Sequence, residues 1–317
     1  TEVMRKSMID HRNRIAELAR GAGKRCRVGV RVVTGHGWAG QFGEPIAGGS
    51  ALACYRELAA RPEFELCALH THLGGEIADA AQVRELVREL LDFYGVLRGQ
   101  LGLSLPIVDF GGSLACATTT HHSTRALRLN RSLGIELRPR PLERVLSIAD
   151  YVRELVQGVA ERCQREGWAR PRIFVEPGRA LTSNTQLLLC TVTSLKQSGA
   201  AGVVHAILDA GVNIAEPVRG EYHQIFVAGR QAADERSYRL VGPICTPMDT
   251  LAWSWRLPEL QPGSVLGIMD AGAYFVPFAT SFSFPQPAIV LVDGGEVRLV
   301  RRAEGFEDLV RRDDEVG

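Results

Sequence analysis

The residues with the clearest chemical potential lie in the stretch 172–181, where a short apolar run ends in charged side chains. Glu176 follows the run, Pro177 and Gly178 constrain the turn, and Arg179 comes next. In parallel α/β folds, ligands bind at the carboxyl ends of the strands. Charged groups at that edge must be solvated, paired with each other or bound to a polar ligand. The stretch therefore predicts either an ion pair between Glu176 and Arg179 or a binding site for a polar ligand.

Two histidines and a pair of glycines indicate further parts of such a site. His70 and His72 are two residues apart on a predicted strand, so both side chains point to one face. They could be core or rim histidines, metal ligands, or an imidazole lying against a flat ligand. A third metal ligand at a usual spacing is not evident, so we predict no metal site. Gly111 and Gly112 follow another apolar run and could offer N–H groups to a phosphate, although such a pair is also common in plain turns.

The second half of the chain contains two more candidates. Cys245 lies between turn residues and beside Thr246 and Asp249, which favours a functional thiol over an inert buried one. Tyr274 ends the motif 270–274, where its phenol would stand at a strand-to-loop junction or on the surface. The GxGxxG dinucleotide fingerprint and the Walker loop are both absent from the sequence.

The chain before residue 182 predicts repeats of a strand followed by a helix. Such repeats imply parallel strands with right-handed crossovers. Residues 114–140 interrupt them as a polar segment, which we predict to be an irregular excursion or lid. The predicted strands are 27–33, 64–73, 105–110 and 173–175, and the predicted helices are 7–23, 50–61, 79–98 and 142–166.

The chain after residue 182 consists of short β-rich runs divided by Gly, Pro and Asp. The runs are 187–195, 203–208, 237–241, 263–269, 288–293 and 296–302, and the Asp293-Gly294 pair is typical of a tight hairpin. We therefore predict an α/β plus all-β protein with a partial (β/α)8 barrel at 1–182 and an antiparallel β domain at 183–317. Four parallel strands are half of such a barrel, so we expect its front half to lie outside this chain.

Composition limits the classes of function. The 317 residues carry a net charge of +1, which provides no strong field for nucleic acid or an anionic membrane. Seven scattered cysteines form no CxxC pair and are typical of reduced thiols. No apolar run approaches the ~20 residues of a membrane span, so we predict a cytoplasmic protein without nucleic-acid or membrane partners. A reaction that needs a lysine side chain could use only Lys6, Lys24 or Lys196 of this sequence.

Six motifs, taken in order, resemble those of the fold-type III pyridoxal-phosphate (PLP) decarboxylases, which include the ornithine, arginine and diaminopimelate decarboxylases. The diaminopimelate decarboxylases are the most similar members, and the resemblance covers nearly the whole chain. It implies the C-terminal half of an alanine racemase-like (β/α)8 barrel followed by a β-barrel or sandwich domain. The motifs are residues 72–75, 109–112, 176–179, 208–211, 242–245 and 270–274.

The resemblance also implies pyridoxal 5'-phosphate as cofactor, an amino acid as substrate, and roles for individual residues. His72 would stack on the pyridine ring, Glu176 would pair with the ring nitrogen, and Cys245 would donate a proton to the substrate carbon. Cys245 would act in the partner subunit's site of a head-to-tail homodimer. The other implied cofactor contacts are Gly75, Gly111, Gly112, Ser113, Pro177, Gly178, Arg179 and Tyr274. The implied substrate contacts are Arg179, Arg219, Tyr222, Thr246, Asp249 and Tyr274.

The sequence departs from the family pattern at three places. The family's Schiff-base lysine lies on the first barrel strand, and none of the three lysines has that context. We therefore expect the lysine to lie in the missing front half, which is either the rest of a longer enzyme or a separate N-terminal half. Thr246 replaces an acidic residue that meets the distal amine of the substrate, and Ala215 and Arg219 replace an Arg and a Tyr. Both changes argue against diaminopimelate as the substrate. Ser113 replaces a glycine of the phosphate loop and Gly75 replaces a serine, so we hypothesise that the Ser113 hydroxyl compensates.

The sequence therefore predicts PLP-dependent α-decarboxylation of an amino acid other than diaminopimelate. A fold-type III racemase is an alternative, although the Cys245 loop and the motif 270–274 favour decarboxylation. A non-catalytic paralogue or a partner subunit of a split decarboxylase is another alternative, because the lysine is not present. The retention of residues that packing does not require argues against a purely structural role.

Overall fold

The computed structural model of the chain describes residues 2–35, 41–74, 76–116, 118–138, 145–198, 202–229 and 234–313. The helices are α1 (Glu2–Gly21), α2 (Ser50–Ala59), α3 (Ala80–Leu101), α4 (Thr124–Leu133), α5 (Ile148–Glu166), α6 (Arg179–Thr182), α7 (Val212–Ala215), α8 (Phe275–Phe278) and α9 (Phe306–Val310). The strands are β1 (Cys26–Val33), β2 (Glu44–Pro45), β3 (Phe64–Thr71), β4 (Ile107–Asp109), β5 (Arg172–Phe174), β6 (Leu188–Ser198), β7 (Val203–Leu208), β8 (Ile225–Val227), β9 (Glu235–Val241), β10 (Thr250–Pro258), β11 (Val265–Ile268), β12 (Ile289–Asp293) and β13 (Glu296–Arg301). Across these ranges, no helix is both long and apolar enough to cross a membrane.

The chain divides into two compact units. The first consists of Thr1–Ala115 and Leu142–Ala180, and the second of Cys116–Pro141 and Leu181–Gly317. The predicted boundary at residue 182 is close to the point where the second unit resumes. The prediction assigned 116–141 to the first domain, whereas in the structure this segment belongs to the second unit.

A parallel sheet organises the first unit, with the strand order β2-β1-β3-β4-β5. All four predicted strands are present, and β2 adds a two-residue edge strand that is too short to give a pattern in the sequence. Parallel strands need long crossover connections, which here contain helices. The sequence prediction of parallel strand–helix repeats is confirmed.

The core of the first unit lies between the sheet and the helices α3 and α5. Leu69 of β3 and Val108 of β4 are fully buried, as are Leu90 of α3 and Leu155 of α5. Burying each such side chain contributes about 1.5–3 kcal/mol. The predicted N-cap of α3 is confirmed, because the Asp79 carboxylate accepts the N–H of Gln82 at 2.9 Å within a capping box.

A six-stranded sheet organises the second unit, with the order β10-β9-β7-β6-β11-β8. The predicted antiparallel sheet is only partly correct, because β7 and β9 pair in parallel. Strands β8 and β10 were not predicted. In β10 most residues are buried, so its apolar positions form a nearly continuous run without the alternation of a half-buried strand. The core of this unit includes Val192, Leu208 and Leu240.

Two local features of the second unit test the sequence analysis directly. The segment 114–140, predicted to be irregular, contains α4, so that prediction is wrong for residues 124–133. The sequence of α4 is predominantly polar, so the helix was not predicted from it. The Ser123 hydroxyl caps its start by accepting the N–H of Ala126. The predicted hairpin is confirmed, because Asp293 pairs with Glu296 across Gly294 and Gly295, both with positive φ.

Candidate functional site

Three neighbouring strand ends bring a carboxylate next to two imidazoles in the first unit. His70 of β3 pairs with Asp109 of β4, which pairs with Phe174 of β5, so the carboxyl ends of these strands share one edge. Glu176 follows β5 and places its Oε2 3.8 Å from His70 Nε2 and 3.6 Å from His72 Nδ1. The Glu176 carboxylate therefore lies beside both imidazoles, and the alternative of a Glu176–Arg179 ion pair stays a prediction.

The tautomer of His72 follows from its hydrogen bond. The N–H of Gly112 donates to His72 Nδ1 at 3.2 Å. Nδ1 is therefore an acceptor, and a neutral ring carries its proton on Nε2. The bond fixes the orientation of the imidazole, whose side chain is 28% exposed. It also means that the Gly112 N–H, predicted to be free for a phosphate, is already used in this structure.

The Gly111–Gly112 turn has no room for side chains. A Cβ on Gly111, whose φ is +66°, would lie 2.6 Å from the carbonyl oxygen of Thr71, and a Cβ on Gly112 would lie 2.6 Å from that of Glu176. The Gly111 N–H donates to Asp109 Oδ1 at 2.9 Å, and the Gly111 carbonyl accepts the N–H of Glu176 at 2.7 Å. The two glycines therefore allow the ends of β3, β4 and β5 to pack closely together. The sequence pattern did not distinguish this structural role from phosphate binding.

Ser113 supports the neighbouring loop. Its φ is +73°, a conformation that few residues other than glycine adopt, and its hydroxyl accepts the N–H of Gly74 at 2.9 Å. The hydroxyl can still donate its own proton to another acceptor. The hypothesis that it replaces a phosphate-binding serine therefore stays a prediction. Gly75, the other partner in that hypothesis, lies outside the described residues. Arg179 begins α6 directly after Pro177 and Gly178.

His70 belongs to the same cluster but was not among the predicted cofactor contacts. Burial lowers the pKa of His70, although Asp109 and Glu176 act in the opposite direction. Its Nε2 is buried and has no hydrogen-bond partner among the described residues. The signal in the sequence was its two-residue spacing from His72, which the strand geometry confirms as a shared face.

The ligand atoms of His70, His72 and Glu176 lie within 4.8 Å of one another, a spacing that could hold a metal ion. Imidazole nitrogen and carboxylate oxygen are typical zinc ligands. The Nδ1 atom of His72 accepts the N–H of Gly112, so a metal bound through that nitrogen would have to break this hydrogen bond. The prediction of no metal site stays a prediction.

The Cys245 loop of the second unit is organised by the side chain of Asp249. This residue is 2% exposed, and its carboxylate accepts the N–H groups of Val212 at 2.8 Å and Ile244 at 2.7 Å. The loop leaves Cys245 exposed and Thr246 half-buried. Asp249 was predicted to contact a substrate, but its geometry supports a role in shaping the loop.

Tyr274 stands at the end of a tightly packed turn in the same unit. A Cβ on Gly272 would lie 1.7 Å from the carbonyl oxygen of Thr182, so only glycine fits there. Asp270 and Tyr274 both have positive φ, and the Asp270 carboxylate accepts the hydroxyl of Thr118 at 2.7 Å. The Tyr274 ring is 42% exposed and stacks on Phe278. Neither Asp270 nor Thr118 was predicted to have a role.

The predicted substrate residues Arg219 and Tyr222 lie in different environments. Arg219 is exposed, and its nearest carboxylate is Glu216 at 3.8 Å. Tyr222 stacks on Trp255, and burial raises the pKa of its hydroxyl. The predicted residues thus form two groups. The first unit contains His72, Ser113, Glu176, Pro177, Arg179 and the glycines, and the second unit contains Arg219, Tyr222, Cys245, Thr246, Asp249 and Tyr274.

The chain is similar to known decarboxylases over almost all of its length. Residues 49–272 match the family model described as pyridoxal-dependent decarboxylase, C-terminal sheet domain. The diaminopimelate decarboxylase of Methanothermobacter thermautotrophicus is 31% identical over 320 residues, covering 96% of this chain and 68% of that protein. The diaminopimelate decarboxylase of Aquifex aeolicus is 28% identical over 310 residues, covering 93% and 66%. The chain therefore spans about two thirds of the length of these relatives.

A solved structure agrees with the assignment of fold. The crystal structure of diaminopimelate decarboxylase from M. jannaschii in complex with L-lysine matches with a TM-score of 0.74 at 21% identity. The match covers 94% of this chain and 66% of that one, and at this identity it shows the fold alone. Taken with the family model and the relative that is 31% identical, it leads to one conclusion: the chain belongs to the pyridoxal-dependent decarboxylase family.

Proposed function

We propose that the chain contributes the cofactor-binding edge and the proton donor of a PLP-dependent decarboxylase that acts on an amino acid. The observation that supports this most directly is the convergence of His72, Glu176 and the Gly111–Gly112 turn at one edge of the parallel sheet. Family membership gives the reaction class, because the matching relatives are decarboxylases.

The residues at this edge fit pyridoxal 5'-phosphate. Glu176 is half exposed and lies beside His70 and His72, so its carboxylate can accept a hydrogen bond from a protonated pyridine nitrogen. The His72 ring is oriented by a backbone N–H and presents a flat surface to an aromatic ligand. When bound, the cofactor supplies a sink for the electron pair that departing CO2 leaves behind.

The other predicted residues complete this assignment. Gly178, Arg179, Ser113 and Tyr274 would bind anionic groups of the cofactor or substrate through N–H, guanidinium and hydroxyl groups. The exposed thiol of Cys245 would carry the proton that is delivered to the substrate carbon.

We further propose that the parallel sheet is part of a (β/α)8 barrel and that the active form is a head-to-tail dimer. The sheet has five parallel strands, and closing such a barrel takes eight. In this dimer Cys245 would serve the site of the partner subunit. The substrate would be an amino acid other than diaminopimelate, since Thr246 offers no charge to a distal amine.

Glu176→Gln tests the cofactor assignment without relying on turnover. Losing a charged hydrogen bond to the ring nitrogen should weaken PLP binding, measured by equilibrium dialysis, by about tenfold or more. Glu65→Gln is the matched control, because Glu65 is an exposed residue of β3 whose ion contact is Arg27. Equal affinity of the Glu176 variant and the control for PLP would contradict the assignment.

Borohydride reduction of the PLP-treated chain, followed by peptide mapping, tests whether a lysine of this chain binds the cofactor covalently. It should label none of Lys6, Lys24 and Lys196.

Mixing two inactive variants tests the dimer and the role of Cys245 together. If each site uses Cys245 from the partner subunit, Glu176→Gln removes a group that a subunit supplies to its own site. Cys245→Ala removes a group that the subunit supplies to its partner's site. Equal mixtures of the two variants should then recover about a quarter of the wild-type decarboxylase activity, because half of the reassorted dimers regain one intact site. A mixture that stays inactive while size-exclusion chromatography shows subunit exchange would contradict the shared site.

A further inference from the structure

A cavity of 470 Å³ lies in the second unit and is lined by residues of β7, β9 and β10 and of the Cys245 loop. Residues on both sides of Cys245, including Ile244 and Thr246, form one wall, and His205, Arg239 and Trp253 form another. Its volume is within the range of small-molecule sites. All of its lining residues belong to this unit.

The guanidinium of Arg239 is the chemical feature of this cavity. It lies 4.7 Å from the centre of the Trp253 ring, an arrangement that fixes the plane of the guanidinium. Its Nη1 is 3.4 Å from His205 Nε2, and its Nε is buried without a hydrogen-bond partner. Within the described part of the chain, no carboxylate forms an ion pair with Arg239.

Strand pairing explains why these groups meet. His205 of β7 is directly opposite Arg239 of β9 in the parallel pair, so both side chains project from the same face. Trp253 lies on β10, the other neighbour of β9, where the register is irregular between Ala252 and Trp255. A second guanidinium, that of Arg131 on α4, lies 5.3 Å from the same indole.

The acidic residue of the cavity forms no ion pair with Arg239. Asp249 lines the cavity, and its two carboxylate oxygens instead accept the N–H groups of Val212 and Ile244. The cavity therefore combines an unpaired, half-buried guanidinium with apolar walls such as Ile244 and Pro247. A half-buried cation of this kind is stabilised by an anion that can reach it.

We propose that this cavity binds the carboxylate of a small organic acid through Arg239, with the aliphatic part of the ligand against the Cys245 loop. The carboxylate has two possible sources, the side chain of the amino-acid substrate or a separate acid that acts on the loop. The first source rests on the proposed function, because Thr246 is both a predicted substrate contact and a lining residue. Binding itself is independent of the decarboxylation reaction.

Glutarate is the probe for binding, measured by isothermal titration calorimetry with the PLP-loaded protein. Arg239→Gln should raise the dissociation constant at least about tenfold, because a charged, planar donor pair is lost. Arg236→Gln is the matched control on the same strand, where Arg236 is exposed and contacts Glu259. Pentylamine, a cation of similar length, should not bind at this site.

Four results would overturn the proposal: no glutarate binding by the wild type, equal weakening by both variants, an unchanged affinity in Arg239→Gln, or pentylamine binding as tight as glutarate binding. If Arg239→Gln does not fold, Arg239→Lys serves instead. It keeps the charge but loses the planar fork, so it should also bind glutarate more weakly, and an unchanged affinity would overturn the assignment.

Steady-state kinetics then separate the two sources of the carboxylate. If the substrate provides it, Arg239→Gln should raise KM for 2-aminoadipate and leave KM for norleucine unchanged. If a separate acid provides it, Arg239→Gln should weaken glutarate binding as above and leave both KM values unchanged. Each result supports a carboxylate site and assigns its ligand. A chain that does not decarboxylate either amino acid would contradict the proposed function, while the calorimetric result would still decide whether the cavity binds carboxylates.

Discussion

At the edge of the parallel sheet, His72 and Glu176 are positioned by the ends of three neighbouring strands, whereas the loop that carries the exposed Cys245 is held by the buried Asp249 carboxylate and by short-range hydrogen bonds. The first arrangement spreads its support over many backbone hydrogen bonds and two glycines. The second combines one buried carboxylate with hydrogen bonds between residues that are close in the chain. In the proposed function, the first arrangement would hold a rigid cofactor and the second would carry the residue that delivers a proton.

The sharpest test of this difference is Asp249→Ala. It would leave the N–H groups of Val212 and Ile244 without acceptors in a buried place, so we expect the free energy of unfolding of the second unit to fall by about 4 kcal/mol. Hydrogen exchange followed by mass spectrometry would locate the loss. Asp209→Ala is the control, because exposed Asp209 accepts only the N–H of Thr191 and should cost about 1 kcal/mol. Equal losses of unfolding free energy in the two variants would show that the Asp249 carboxylate supports its loop no more than an exposed carboxylate does.

Gly112→Ala probes the sheet edge in the same way. The added Cβ would lie 2.6 Å from the Glu176 carbonyl oxygen, and relief of that clash should cost about 1–3 kcal/mol of unfolding free energy and displace His72. Thermal unfolding and PLP affinity would both report the change. Gly99→Ala on α3, which has open space around it, should instead stabilise the protein by up to about 1 kcal/mol. A Gly112→Ala variant as stable as the wild type would contradict this prediction, because it would show that the sheet edge accommodates the added methyl group.

Buried thiols give each unit its own dependence on alkaline pH. Burial raises the pKa of Cys190 in the second unit to about 12 and that of Cys54 in the first to about 11, from an ordinary value of 9.0. The unfolded chain loses these protons first, so the stability they contribute is complete below about pH 9 and falls as the pH rises toward those values.

Cys190→Ala should therefore reduce the slope of unfolding free energy against pH, by at most about 1.4 kcal/mol per pH unit, between about pH 9 and pH 12. Urea unfolding at a series of pH values would measure it. Cys245→Ala is the control, because an exposed thiol has no burial to relieve. An equal change of slope in both variants would show that burial of Cys190 is not the cause.

Much of the fold was predictable because its signals are local. The capped helix α3, the parallel strands β1, β3, β4 and β5 and the hairpin of β12 and β13 each follow from periodicity or turn chemistry. The errors have physical reasons. Helix α4 is polar, so caps and contacts with β10 stabilise it rather than an apolar stripe, and β10 lacks alternation because both of its faces are largely covered.

The sequence by itself determined the fold class, the family and the chemical types available to the site, because motifs such as Glu176-Pro177-Gly178-Arg179 are contiguous. Only the tertiary structure decided the partners of those residues. Glu176 lies beside two histidines, the Gly112 N–H binds His72, the Asp249 carboxylate accepts the N–H of Val212, and Arg239 lies on Trp253 beside a cavity. These contacts join residues from different elements of the chain, and strand register and burial, which no local pattern specifies, bring them together.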